Sequence, residues 1–325
     1  MTMYDRLIQR LLRVNQFPHT VKMGLRNSIA LHEALGSPAK RFDTIHVAGT
    51  NGKGSVSWKL AKALESSGFK TGLFVSPHVS CFRERIQVNS ALISEDQVEA
   101  LLPHIFDKTS QLAIPATFFE LTTALALQHF AHEEVDCVVL ETGLGGRLDA
   151  TNIVEPVVSV HIQLGNPLVR HAIASRPPCR FEQLTVATND SDVTVVLDVA
   201  HNLPAFDRLL KLLQVGDTYR DKDIAHVIDS IVATRASHVH FVQGYHPRCA
   251  SVVEIQHALG EVDACLNCSA SSSDEVVVVC GSVFIMSEAR QALGIDEPVD
   301  SHDVKQISGV GLKTAHEREQ ALPRT

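Results

Sequence analysis

The sequence of 325 residues has no apolar run approaching the roughly 20 residues that cross a bilayer. Its longest, residues 275–281, has only the length of a buried strand, so no membrane role is expected. It also lacks a basic excess. Lys and Arg number 29 against 37 Asp and Glu, a net charge of −8, which argues against a nucleic-acid surface and leaves room only for a local pocket for anions. Cysteines are few and odd in number, seven, and several, such as Cys137 and Cys280, sit inside apolar segments. That pattern suits reduced thiols in a cytosol-like compartment rather than a disulfide framework. Cys265 and Cys268 form a lone C-x-x-C with no second pair at zinc-ligand spacing, and we read it as coincidence.

What is present is ordinary for a globular protein, 45% hydrophobic and 20% charged residues, in a chain long enough for two cores. Arg6, Arg10 and Arg13 alternate with leucines near the start, as in a weak transit peptide, but Asp5 and the lack of serines favour a surface helix. The expected location is therefore cytoplasmic, with a mitochondrial one as the alternative. No internal repeat stands out.

Strand-like apolar runs alternate with helical ones, which predicts an α/β fold with a mostly parallel sheet. Expected strands are 44–48, 71–75, 135–140 and 157–162, and expected helices 56–67, 95–108 and 118–132. The second half continues with strands 193–198, 238–242 and 275–280 and helices 205–213, 224–234, 252–259 and 285–293. Residues 165–178 hold three prolines and no clear period, and read as a linker. The expected domains are thus 1–164 and 179–295, with a polar tail at 296–325 read as disordered.

The most informative segment is His46-Val-Ala-Gly-Thr-Asn-Gly-Lys-Gly-Ser55, where an apolar strand runs into a glycine-rich turn and then a helix. That geometry presents backbone N–H groups and a helix N-terminus to a phosphate chain. Gly49, Thr50, Asn51, Gly52, Lys53, Gly54 and Ser55 are the candidate nucleotide ligands, with Lys53 supplying charge and a hydroxyl of Thr50 or Ser55 reaching phosphate or Mg²⁺. The match to the usual phosphate-loop spacing is imperfect, because Val47 and Gly54 stand where that pattern has Gly and Ser/Thr.

Glu141 ends a second apolar strand and precedes Gly143, Gly145 and Gly146. Ligands of open α/β sheets gather at the carboxyl ends of strands, so Glu141 is placed with the phosphate loop as an Mg²⁺ ligand. Ser76, after the strand at 71–75, is the second candidate ligand, while His78 reads as structural. Arg83-Glu84-Arg85 reads by default as a solvated turn, with carboxylate binding as the alternative. In the second half, Asp198 stands at a strand end for ribose hydroxyls, with His201 and Asn202 within reach of phosphate.

Together these segments resemble the folylpolyglutamate synthase and dihydrofolate synthase family of Mur-ligase-like, ADP-forming amide ligases. The resemblance rests on residues 46–55, Ser76-Pro-His78, Phe82-Arg-Glu-Arg-Ile86, Thr117-Phe-Phe-Glu120, residues 141–152, Arg180-Phe-Glu-Gln-Leu184 and Asp198-Val-Ala-His-Asn202. It implies a P-loop-type, mostly parallel sheet domain followed by a smaller α/β, Rossmann-like C-terminal domain. It also implies that ATP and Mg²⁺ are used to phosphorylate a folate or dihydropteroate carboxylate, which the amine of L-glutamate then attacks, in a monomeric enzyme. By the same resemblance Ser76 and Glu141 hold the metal, and Lys53, Arg180 and His201 serve the transferred phosphoryl group. Asp198 meets the nucleoside, and Val21, Lys22, Met23, Thr117 and Asp149 line the pterin side.

The chain also departs from the family pattern. Relatives continue the strand at 157–164 into a Gly-Leu-Asp-His motif whose His completes the metal site, followed by a lysine that becomes carbamylated and an adenine-facing Asn. Here Gly165-Asn-Pro167 intervenes and the pattern resumes near Arg176, so a stretch on the order of a hundred residues is absent, a sizeable part of a domain. A smaller gap falls between Leu213 and Tyr219. Two readings follow: a glutamate ligase with impaired activity, or a non-catalytic remnant that still binds nucleotide or folate. A cell-wall Mur ligase is disfavoured, because only about forty residues precede the phosphate loop, too few for a domain.

Overall fold

A computed structural model describes residues 1–14, 24–157, 167–187, 192–200, 205, 209, 276–280, 283–302 and 304–305. The chain divides into two compact units, residues 1–176 with 298–325, and residues 177–297.

The first unit is built on a five-stranded sheet in the order β1-β5-β2-β3-β4. β1 (Asp43–Val47), β5 (Cys137–Glu141) and β2 (Thr71–Phe74) are parallel; β3 (Ile86–Val88) and β4 (Ala91–Leu92) add an antiparallel edge. All five β5 residues are buried, as a strand covered on both faces requires. Its side chains alternate between two cores. Val138 and Leu140 join Phe74 and the large cluster, and Cys137 and Val139 join Leu73, Ala61 and Leu64.

The large core is formed by α1 (Met3–Arg13), α4 (Glu95–Gln111) and α5 (Phe118–His132), and the smaller one by α3 (Lys53–Ser66). Each of α1, α4 and α5 begins at a capping box: Thr2 with Asp5, Ser94 with Gln97, Thr117 with Glu120. The first helix is more than a surface helix, since Tyr4, Leu7, Ile8, Leu11 and Leu12 are buried at helical spacing. α2 (Arg26–Ala34) contacts α4 and α5.

Two stretches read from the sequence as linker and disordered tail are ordered where the structure describes them. Residues 167–174 are a helix, α6 (Pro167–Ala174), which packs on α3. Proline is compatible with a helix at its first position, where its missing N–H has no partner anyway. The start of the tail is also ordered on the first unit. The Asp300 amide donates to the Ser80 carbonyl at 3.1 Å, Asp300 Oδ2 accepts from the Phe82 amide at 3.0 Å, and Val304 is 2% exposed in the large core.

Burial and the nearby Glu84 push the Asp300 carboxyl up to about 6 from 3.8, against the bond from Phe82. A raised folded-state pKa means that the native state holds the proton between those values, so stability falls as pH rises from 3.8 to about 6. The difference is on the order of 1–3 kcal/mol. Asp300→Asn is therefore expected to raise the melting midpoint near neutral pH by about 2–4 °C or more and to bring it closer to the value in mild acid. A neutral-pH midpoint equal to or below the wild type contradicts this.

The second unit carries a three-stranded sheet, β6 (Arg180–Ala187), β7 (Asp192–Asp198) and β8 (Val276–Cys280). β6 pairs antiparallel and β8 parallel with β7, and α7 (Val283–Ala292) follows β8. The expected strand at 238–242 and the helices at 224–234 and 252–259 lie outside the described residues, as does nearly all of those expected at 157–162 and 205–213. Among the described residues, no helix is long and apolar enough to cross a membrane.

Candidate functional site

The loop from β1 to α3 leaves Ala48, Gly49, Thr50, Asn51 and Gly52 exposed. Gly52 is the N-cap of α3 and lies at φ 80°, a left-handed conformation that glycine adopts readily. Unlike the capping boxes of α1, α4 and α5, this end has no side-chain cap and no acidic residue in its first turn. Its first residue is Lys53, a cation at the positive end of the helix dipole. Both features favour an external anion here. A Cβ placed on Gly49 would lie 3.6 Å from Lys53 Cγ, so the lysine stem runs back along the loop.

The sheet register brings the second motif to the same place. Val47, the last residue of β1, is paired with Glu141, the last of β5, and the Thr142 amide donates to the Val47 carbonyl at 3.0 Å. Glu141 is 4% exposed, and its Oε2 accepts from the Ser76 amide at 2.9 Å. A Cβ on Gly54 would sit 3.4 and 3.5 Å from the two Glu141 oxygens, which puts the carboxylate against the first turn of α3. The structure thus assembles Gly49–Ser55, Ser76 and Glu141 at the carboxyl ends of three adjacent parallel strands. A carboxylate and a hydroxyl beside a phosphate loop are the hard oxygen donors that suit Mg²⁺, which keeps waters and phosphate oxygens for its other positions. Among the described residues no group of three His, Cys, Asp or Glu could hold a metal by itself.

A third loop closes the crevice. Gly143 allows close approach, since a Cβ there would come within 2.5 Å of the Phe119 ring, and a Cβ on Gly146 would lie 3.7 Å from that of Ala48. Asp149 is buried and organises the loop by accepting from the Leu144 amide at 2.8 Å and from the Thr151 amide and hydroxyl at 3.0 and 2.6 Å. Thr151 Oγ1 in turn meets His46 Nε2 at 2.7 Å. Burial lowers the His46 pKa, partly offset by Asp149, so the ring is held neutral near physiological pH. Thr117 caps α5, its hydroxyl accepting from the Glu120 amide at 3.3 Å. Asp149 and Thr117 therefore have structural partners of their own, whatever else they bind. Val21, Lys22 and Met23 lie outside the described residues.

Arg83-Glu84-Arg85 is not a solvated turn. Glu84 accepts from the amides of Val79, Ser80 and Cys81 at 2.6–2.7 Å, and Arg85 is 8% exposed. Its Nε donates to His78 Nδ1 at 2.8 Å, and its guanidinium lies 5.3 Å from the centre of the Phe118 ring. Burial pulls the Arg85 pKa down to about 10, while the charges of Glu84, Asp300 and Glu141 work the other way. Burial, helped by Arg85, also drives His78 well below 6.5, so that ring is neutral. This pair fixes the segment that follows Ser76. The sequence marked Ser76-Pro-His78 and Phe82-Arg-Glu-Arg-Ile86 as separate segments, but nothing in it pairs His78 with Arg85.

In the second unit Arg180 and Asp198 are paired across β6 and β7. The Asp198 oxygens accept from the Phe181 amide at 2.7 Å and the Ala200 amide at 2.8 Å. His201 lies outside the described residues.

No protein-family model matches the chain. The dihydrofolate synthase/folylpolyglutamate synthase of Bacillus subtilis is 43% identical over 153 residues, 45% of this chain and 35% of the relative. The chain thus spans about a third of the length of such curated relatives. Escherichia coli FolC in complex with DHPP and ADP superposes with a TM-score of 0.72 at 21% identity, covering 90% of this chain and 98% of that one. The bifunctional folylpolyglutamate synthase/dihydrofolate synthase of Yersinia pestis, complexed with AMPPNP and a Mn ion, gives 0.69 at 21% identity, over 90% and 98%. In sequence over nearly half its length, and in fold over most of it, this chain is similar to the folylpolyglutamate and dihydrofolate synthases.

Proposed function

We propose that the protein is an ATP-dependent ligase that joins L-glutamate to the carboxylate of a folate or dihydropteroate. One observation carries this reading: the uncapped N-terminus of α3, with Lys53, and the buried Glu141 beside Ser76 converge at the same strand ends. The acceptor carboxylate attacks the γ-phosphorus of ATP, the bond to ADP breaks, and an acyl phosphate forms. The glutamate amine then attacks the acyl carbon and phosphate leaves. The amides of Gly49–Gly54 and Lys53 hold the phosphate chain, and such transfer needs positioning and charge neutralisation more than covalent help. Ser76 and Glu141 are the residues that would hold Mg²⁺, which supplies further neutralisation of the transferred group. Arg180 and His201 serve phosphate, Asp198 the nucleoside, and Val21, Lys22, Met23, Thr117 and Asp149 the pterin. The protein works as a cytoplasmic monomer, with an N-terminal nucleotide domain and a C-terminal glutamate-ligase domain.

A second reading, binding of nucleotide or folate without turnover, is favoured because among the described residues no group of three His, Cys, Asp or Glu could hold a metal. The test is ATP-dependent incorporation of labelled L-glutamate into dihydropteroate and into a reduced folate. Incorporation that needs a divalent cation is expected, slower by on the order of 100-fold than in a variant carrying the family's central segment. Binding of magnesium–ATP or of the folate with no incorporation would favour the second reading, and the absence of incorporation and of both kinds of binding would sink the two together.

A further inference from the structure

Arg180 stands in an unusual stretch of backbone. Cys179 at φ 55° and Phe181 at φ 54° flank it, both left-handed and neither a glycine. The β6–β7 register slips between Arg180 and Glu182, a bulge of the kind that re-aims a side chain. Strain of this sort persists only where the surroundings over-determine it. Three bonds do so from the strand side: the Val199 amide to the Cys179 carbonyl at 3.0 Å, the Phe181 amide to Asp198, and the Cys179 amide to Glu182 Oε2 at 2.9 Å. The last depends on where Glu182 is held. That is set by Arg290 of α7, which is 6% exposed and donates through Nη1 to the same Glu182 oxygen and through Nε to Glu297 at 2.7 Å. Against the upward push of burial, its charge also draws the pKa of the fully buried Cys179 thiol down. Burial works against the Arg290 charge, but the two carboxylates outweigh it and raise the pKa.

We propose that Arg290, acting through Glu182, is a positioning residue for Arg180. It locks the bulge that carries Arg180, whose Nη1 in this structure donates to the Cys179 carbonyl at 3.5 Å, and it commits the Glu182 carboxylate to α7. Without Arg290, Glu182 becomes an internal rival of phosphate for the neighbouring arginine. The planar fork matters as much as the charge, since one guanidinium serves two carboxylates, which a lysine cannot do with the same geometry. The inference rests on the reading of Arg180 as a nucleotide phosphate ligand.

The experiment is a titration of the full chain with a fluorescent ATP analogue in the presence of Mg²⁺, with a melting curve for every variant. Arg180→Ala is expected to weaken binding about 10- to 100-fold, the worth of a charge-assisted hydrogen bond. Glu182→Ala, which removes the acceptor of the Cys179 amide, Arg290→Met and Arg290→Lys should each reproduce most of that loss, and Arg180→Ala combined with Arg290→Met should bind no worse than Arg180→Ala alone. Glu297→Ala removes an ion pair from the same guanidinium but none from the bulge, so it should lower the melting midpoint and leave affinity unchanged. If Arg290→Met does not fold, Arg290→Lys and the contrast of Glu182→Ala with Glu297→Ala decide the matter. Glu182→Ala binding like the wild type, or losses that multiply in the double variant, would overturn the coupling while leaving Arg180 as a ligand. Unchanged binding by Arg180→Ala would remove the reading of Arg180 itself and this inference with it.

Discussion

Replacing Lys53 by alanine is expected to weaken ATP binding by about 100-fold or more while leaving the fold intact. The lysine opens α3, where the first backbone N–H groups lack a side-chain cap and no acidic residue offsets the dipole. A cation there opposes the helix by about 0.3–1 kcal/mol when nothing negative is bound. Its removal should therefore hold or slightly raise the melting midpoint of the free protein. Loss of affinity without loss of stability marks a ligand rather than a structural lysine. Titration with a fluorescent ATP analogue and a parallel melt check both halves. Equal affinities, or a lower midpoint with affinity retained, would contradict the assignment.

Glu141→Gln is the second large effect. Glutamine keeps the size of a side chain that is 4% exposed, and its amide oxygen still accepts from Ser76. What disappears is the charge, and with it the Mg²⁺ dependence of nucleotide binding. A loss of about 100-fold or more in the metal's contribution is expected, since even an outer partner of a ligand is worth about 10- to 100-fold. Asp149→Asn is the comparison, because Asp149 is equally buried but already engaged by three donors of its own loop. An unchanged Mg²⁺ response in Glu141→Gln, or an equal loss in Asp149→Asn, would place the metal elsewhere.

Much of the first unit was legible because its signals are local. The Thr117–Glu120 capping box and the apolar run after it give α5 at the expected bounds. The hydrophobic 138–140 segment ending in Glu141 gives both strand and candidate ligand. α3 starts at Lys53 rather than at 56, because Lys53, Gly54 and Ser55, which read as part of the turn, form the helix's first turn behind the Gly52 N-cap. What escaped is held by contacts distant in sequence. Arg85 is drawn out of solvent by His78 and Phe118, and the polar stretch around Asp300 is anchored by a backbone bond to Ser80. α6 hides behind prolines that elsewhere break helices. In the second unit the Arg180 motif was visible, but Arg290, more than a hundred residues later, carries no pattern that ties it to Glu182.

The most direct test of the account follows the oxygen. A folate or dihydropteroate acceptor labelled with heavy oxygen in its carboxylate is incubated with the protein, ATP, Mg²⁺ and L-glutamate, and the released phosphate is analysed by mass spectrometry. Formation of an acyl phosphate at the Lys53–Glu141 crevice predicts ADP as the nucleotide product and one labelled oxygen in each phosphate formed with product. Unlabelled phosphate, or AMP with pyrophosphate, would contradict it.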